Sequence, residues 1–216
     1  MIEIIPGILE KEWSAIEKKI NIVKPFAKTV HIDLIDGIFA ANTTFADPRA
    51  FVPYTKDIAF ELHMMVDNPL QYVKPWAEVG FRRFIGHIEK MPDQVEFVAH
   101  AQQYGEVGLA LDGPTPLSAL QVPLRDLDMV LILTVKAGAS GQPFDARDIE
   151  KVRQLRAQDP FLPIAIDGGV HADSIQKVCT AGVTRCVATS AIFSSDPHAA
   201  YLGLHHACAI TDSLQK

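Results

Sequence analysis

The chain has 216 residues, with 20 Lys and Arg against 26 Asp and Glu, and a formal net charge of −6. Hydrophobic residues make up 48% and charged residues 21%, an ordinary globular balance with enough apolar surface for a large core. The acidic balance and the lack of a basic patch argue against nucleic acid and anionic membranes as partners, while leaving room for a phosphorylated metabolite held locally by backbone amides. The first residues show no basic region followed by a long apolar run, and no stretch reaches the length of a membrane span, so the expectation is a cytoplasmic protein. The three cysteines, Cys179, Cys186 and Cys208, are odd in number and lack ligand-like spacing; they are expected to be reduced thiols.

Residues 3–9 read as a first strand, and 11–23 follow with Trp13, Ile16, Ile20 and Val23 at helical spacing. In the second strand, from Thr29, the apolar residues Val30, Ile32 and Leu34 alternate with Thr29, His31 and Asp33. A polar, glycine-containing connection over 37–47 is too long for a tight turn. A third strand over 58–66 leads to Asn68-Pro69, which opens a helix that Gly80 stops. Strand four covers 81–87 and a helix 92–104. Strand five covers 106–111 and ends at Asp112-Gly113-Pro114, before a short helix from 116 to about 125. Residues 129–135 are almost wholly apolar, as a parallel strand buried on both faces should be. A small-residue loop over 136–144 precedes a helix over 147–158. Strand seven, 163–167, ends at Gly168-Gly169; a helix over 172–181 is stopped by Gly182; strand eight covers 184–188; and a last helix runs from near 197 towards 214.

Eight strand-then-helix units with no linker and no composition break predict a single (β/α)8 TIM barrel domain over 1–216. The competing doubly wound sheet would carry a G-x-G-x-x-G turn after its first strand, and none is present.

In such a barrel, reactive groups sit where strands run out into the following loops. His31 and Asp33, two apart, share one face of their strand, and burying them without a partner is expensive. A buried His–Asp hydrogen bond or a wet strand end would resolve this, and so would a metal ion. His63 alone reads as a satisfied core histidine, and His87 adds a further imidazole at the end of strand four. Together, His31, Asp33, His63 and Asp167 form a two-imidazole, two-carboxylate set at three strand ends, suited to one divalent ion such as zinc, iron, manganese or cobalt. Asp33 and Asp167 come from distant strands. They could flank one substrate carbon as base and acid, with the ion stabilising an enediolate. Three small-residue turns, Gly138-Ala139-Ser140-Gly141, Gly168-Gly169 and Thr189-Ser190, follow strands six to eight, where barrels of this kind seat phosphate.

Over essentially its whole length the chain resembles the ribulose-phosphate 3-epimerase family. The resemblance is carried by His31-Ile32-Asp33-Leu34-Ile35-Asp36-Gly37 with Phe39 and Asn42, by Leu62-His63-Met64-Met65 and Asn68-Pro69, and by His87-Ile88-Glu89 and Thr115-Pro116. It continues through Gly141-Gln142-Pro143-Phe144, Asp167-Gly168-Gly169-Val170 and Ser190-Ala191-Ile192-Phe193. It implies a metal-dependent isomerase of carbohydrate metabolism and the pentose phosphate pathway, interconverting D-ribulose 5-phosphate and D-xylulose 5-phosphate as a homo-oligomer. Metal ligands would fall on His31, Asp33, His63 and Asp167, and the acid–base pair on Asp33 and Asp167. Substrate contacts would fall on Gly7, His63 and the three turns. Departures from the family pattern gather at these contacts. Gly7 stands where the family has serine, Ile35 and Leu133 where it has methionine, and Thr189 where it has glycine. Asp112-Gly113 replaces the Asn before Pro after strand five. The loop Lys136-Ala137-Gly138-Ala139-Ser140-Gly141 replaces Asn-Pro-Gly-Phe-Gly-Gly. An epimerase of another ketose phosphate, such as a hexulose 6-phosphate, and a non-catalytic sugar-phosphate-binding barrel are the alternatives. An aldol-type hexulose-phosphate synthase is disfavoured, because Asp33-Leu34-Ile35-Asp36 lacks the lysine of the Asp-x-Lys-x-x-Asp motif.

Overall fold

Eight parallel strands close into a barrel in chain order, each paired with the next and β8 paired back to β1. The strands are β1 (Glu3–Ile8), β2 (Thr29–Ile35), β3 (Ala59–Met65), β4 (Arg83–His87), β5 (Glu106–Leu111), β6 (Met129–Leu133), β7 (Ile164–Asp167) and β8 (Arg185–Ala188). The helices are α1 (Trp13–Val23), α2 (Leu70–Glu78), α3 (Gln94–Ala101), α4 (Ile149–Gln158), α5 (Ala172–Thr180), α6 (Ser190–Phe193) and α7 (Pro197–Leu214). This computed structural model describes residues 2–214. Among the described residues no helix is long and apolar enough to cross a membrane.

The period-two alternation of the strands sorts side chains into two cores. Val30, Ile32 and Leu34 join Ile16, Ile20, Trp76 and Phe97 in the large layer between barrel and helices. Inside the barrel a smaller apolar cluster of Ile85, Ala110, Met129, Leu131, Leu133 and Ala165 comes from β4 to β7. The β2 and β3 part of the interior is polar instead: His31, Asp33, Glu61 and His63 are all buried. The fold is therefore driven by the outer layer, which leaves one side of the barrel interior available for chemistry.

Two expectations are corrected. Residues 116–125 do not form one α-helix. They make two short 3-10 turns, Leu117–Ala119 and Leu124–Asp126. Pro116 and Pro123 each precede a turn, and Pro123, with no N–H to donate, interrupts any continuous helix. The cysteines are not all free: Cys179, at the end of α5, is joined to Cys208 in α7 across a Cα–Cα distance of 5.9 Å. Spacing along the chain could not show this, because α5 and α7 become neighbours only when β8 returns the chain to the barrel wall. Cys186 on β8 is free and buried, and burial pushes its thiol up to about 12.

Candidate metal centre

β2 supplies His31 and Asp33 to the interior, β3 supplies His63, and β7 ends on Asp167. Register brings them level, with Asp33 opposite His63 and Asp167 opposite Leu133. One ligand atom from each of the four residues falls in a cluster whose members lie within 4.8 Å of one another, and all four residues are buried. His63 Nδ1 is 2.8 Å from Asp33 Oδ1 and 3.4 Å from Asp167 Oδ2. His31 Nε2 is 3.4 Å from Asp33 Oδ1 and 3.8 Å from Asp167 Oδ2.

The electrostatics are those of a buried cluster in which imidazoles and carboxylates balance one another. Burial opposes a charge on His31, but the neighbouring carboxylates of Asp33 and Glu61 outweigh it and push the imidazole up to about 10. Burial would raise Asp33, yet His31 and His63 hold it well below the usual carboxylate range. His63 is likewise raised, its burial outweighed by hydrogen bonds with Asp167 and Asp33. In both imidazoles the neighbouring carboxylates thus favour the protonated form.

The donor set passes a direct test of fit. His31 Nε2 is buried among the ligand atoms and has no hydrogen-bond partner among the described residues. An orphaned buried nitrogen is costly unless something binds it. Two imidazole nitrogens and two carboxylates are the donors that zinc, iron, manganese or cobalt accept.

Behind the cluster stand His87 and Glu89, already prominent at the end of strand four, and Glu61, which nothing in the sequence singles out. Glu61, two residues before His63, lies 2.6 Å from His31 Nδ1 through Oε1. His87 Nε2 lies 2.8 Å from His63 Nε2, and His87 Nδ1 lies 3.0 Å from Glu89 Oε2. Burial lowers the His87 pKa, which favours its neutral form. A neutral His87 that gives its Nδ1–H to Glu89 can accept at Nε2 from His63, which orients His63 Nδ1 towards the cluster. The same-face spacing of Glu61 and His63 was the available signal, but strand-internal acids are not distinguished from surface ones by sequence.

Above the cluster opens a pocket. Its walls include Asp33 and Asp167, the loop from Lys136 to Gly141, Gly168 and Gly169, and Thr189 and Ser190. The loops after β6, β7 and β8 are therefore brought together with the two aspartates. Among the described residues the walls include neither Gly7 nor His63. Gly168 and Gly169 take positive φ of 95° and 62°, and a Cβ on Gly169 would lie 2.5 Å from the Phe144 backbone, so that tight double turn requires glycine. The connection after β2 is tied down on the same side. Thr44 Oγ1 donates to the Asp33 carbonyl at 2.8 Å, and Asn42 Nδ2 donates to the Gly138 carbonyl at 3.0 Å.

Fold and site together define a (β/α)8 barrel whose C-terminal strand ends carry a buried cluster consistent with a divalent metal site. Known proteins narrow this. The model of the Ribulose-phosphate 3 epimerase family matches residues 3–193. A ribulose-phosphate 3-epimerase of Schizosaccharomyces pombe is 31% identical over 94% of this chain and 92% of its own. The enzyme of that name from Mycobacterium leprae is 31% identical over 99% of this chain and 98% of its own. The chain belongs to the ribulose-phosphate 3-epimerase family. Among solved structures, a 3-hexulose-6-phosphate synthase from Salmonella typhimurium superposes with a TM-score of 0.72 at 12% identity, covering 97% of this chain and 100% of that one. A 3-keto-L-gulonate-6-phosphate decarboxylase from Vibrio cholerae gives 0.69 at 12% identity, covering 97% and 98%. At such identities these two bear on the fold alone.

Proposed function

We propose that the chain is a metal-dependent 3-epimerase that interconverts D-ribulose 5-phosphate and D-xylulose 5-phosphate. The observation that carries this reading is the convergence of His31, Asp33, His63 and Asp167 beneath a pocket walled by both aspartates, in a member of this family. A divalent ion held by the four residues would acidify the proton next to the substrate carbonyl and neutralise the negative charge that develops on oxygen.

The chain's own residues do the rest. Asp33 reaches the pocket from β2 and Asp167 from β7, so they address one carbon from different sides. Asp33 removes the C3 proton from one face, and Asp167 delivers a proton to the other; the roles exchange in the reverse direction. Proton loss on one face and return on the other inverts C3 and leaves every other centre unchanged. The phosphate sits against Gly141, Gly168-Gly169 and Thr189-Ser190, where the turns offer backbone amides. In α6 the Ile192 and Phe193 amides donate to the Thr189 carbonyl, which leaves the Ser190 and Ala191 amides at its start without an intrahelical acceptor. Lys136, exposed and the one cation among the described pocket walls, adds charge on that rim.

Thr189 favours keeping a second substrate in view. Its side chain stands on the pocket wall where the family pattern has glycine, so a ketose phosphate of different length, such as a hexulose 6-phosphate, is the alternative. The test is an assay of purified protein of measured metal content against a panel of ketose phosphates in deuterated water. The expected result is fastest turnover of D-ribulose 5-phosphate with deuterium at C3. Turnover confined to another ketose phosphate would replace the substrate. Epimerisation without exchange at C3 would overturn the mechanism.

A further inference from the structure

Among the buried groups that this chemistry leaves unused is Glu61. It faces the barrel interior from β3, in register with His31 on β2, and is fully buried. Its Oε1 lies 2.6 Å from His31 Nδ1. Its Oε2 accepts from Arg83 Nη1 at 2.8 Å and from Arg185 Nη2 at 2.6 Å. Arg83 also pairs with Glu106 on β5, and Arg185 with Glu3 on β1. One carboxylate is thereby held by a charge network drawn from β1, β3, β4, β5 and β8.

Such a network is not needed for stability. Apolar residues of similar volume in a barrel interior often do as well as a buried ion pair, or better. Its geometry has a directional consequence instead. Guanidinium groups only donate, so Oε2 is committed as an acceptor from two directions and the carboxylate cannot rotate. Oε1 is left pointing at His31 Nδ1. An imidazole whose Nδ1–H is taken by a carboxylate carries its lone pair on Nε2. Nε2 is the atom that sits beside Asp33 and Asp167 without a hydrogen-bond partner among the described residues.

We infer that Glu61 is a positioning residue of the metal centre: clamped by Arg83 and Arg185, it holds His31 in the Nδ1–H form and turns Nε2 towards the ion. The inference rests on the metal-site part of the proposed function and is independent of the substrate.

The test reads metal binding rather than turnover. Metal-free parent, Glu61→Gln and Glu61→Asp proteins are titrated with Zn²⁺ and Co²⁺ against a competing chelator, with folding checked by circular dichroism. Nitrogen-15 spectra of the zinc-loaded proteins report which ring nitrogen of His31 keeps its proton. Glu61→Gln preserves shape but forces an amide N–H₂ against either the arginines or His31. It should weaken affinity 10- to 100-fold, the range for losing a carboxylate behind a ligating histidine. Glu61→Asp, which retains an acceptor of the right charge, should recover part of that loss. The parent spectrum should show Nδ1 protonated and Nε2 on zinc. Folded Glu61→Gln protein that binds both ions within twofold of the parent would overturn the inference. So would zinc on Nδ1 in the parent, and that measurement decides the matter even if the variant does not fold. A parent that binds neither ion would remove the positioning role together with the metal site. A parent that binds metal but epimerises nothing would remove only the reaction.

Discussion

Gly7 is side-chain-free in a space that Thr189 has taken. A Cβ added to Gly7 would collide with Thr189 Oγ1 and lie 2.9 Å from Val187 Cγ1. The two departures from the family pattern, serine to glycine on β1 and glycine to threonine after β8, are therefore one exchange. Gly7→Ser alone should destabilise the protein by about 1–3 kcal/mol, the usual penalty of overpacking. Adding Thr189→Gly should recover part of it, with Val187 limiting the relief. Urea unfolding of both single variants and the double variant measures the coupling. Additive effects would show that the pair is not linked in this way.

Asp33→Asn and Asp167→Asn separate proton transfer from metal binding only if metal content is measured in the same samples, since both aspartates belong to the donor cluster. In a variant that retains metal, kcat should fall at least ~10²-fold, the low end for losing a general acid or base. Near-parental turnover by a metal-loaded variant would rule out the two-aspartate assignment.

Lys136→Ala should raise KM for a phosphorylated ketose roughly tenfold with little change in kcat, because a rim cation contacts the phosphate equally in ground and transition states. A fall in kcat at constant KM would place Lys136 in the chemistry instead.

The stability of the metal-free protein should depend on pH in opposite senses at its two ends. His31 is raised from 6.5 to about 10, its burial outweighed by Asp33 and Glu61, so the folded state holds that proton more tightly. This contribution is complete below pH 6.5 and lost as pH rises through about 10. Burial would raise Glu61, but hydrogen bonding to His31 and the charges of His31, Arg185 and Arg83 lower it from 4.5 to about 2. That contribution is present above 4.5 and lost as pH falls towards 2. With chelator present, Tm should peak at roughly pH 5–6.5 and decline on either side. Zinc affinity should strengthen as pH rises towards about 10, because the ion displaces the His31 proton. A chelator-treated Tm that climbs between pH 7 and 9 would contradict this electrostatic account.

The Cys179–Cys208 bond closes a loop with a sequence separation of 29 residues. Loop-closure entropy for that length corresponds to about 3–4 kcal/mol. Oxidised protein should show one thiol when denatured and three after reduction, and Cys208→Ser should lower stability by up to that amount. Three thiols in protein purified without reductant would show that the bond does not form in solution.

Much of the architecture was legible before any coordinates. Apolar alternation, glycine stops and an unbroken run of strand–helix units specify a barrel because each strand must bury one face outward against a helix. His31, Asp33, His63 and Asp167 stood out because polar side chains at the ends of apolar strands need a reason to be there. The short helix expected over 116–125 is not formed, because Pro123, inside that span, has no N–H to donate.

The amino-acid sequence by itself determined the family, the barrel of eight strand–helix units and the four residues of the buried His–Asp cluster, since these follow from local periodicity and from motifs within single segments. Tertiary structure alone decided which distant residues meet. Closure of the barrel brings Arg185 to Glu61, 124 positions away, and seats that carboxylate on His31. It also stands Thr189 in the space of a Gly7 side chain, and sets Cys179 against Cys208. The physical reason is common to all three. Each contact joins strands or helices whose approach is fixed by the curvature and register of a closed sheet, and neither quantity is written in any one segment of the chain.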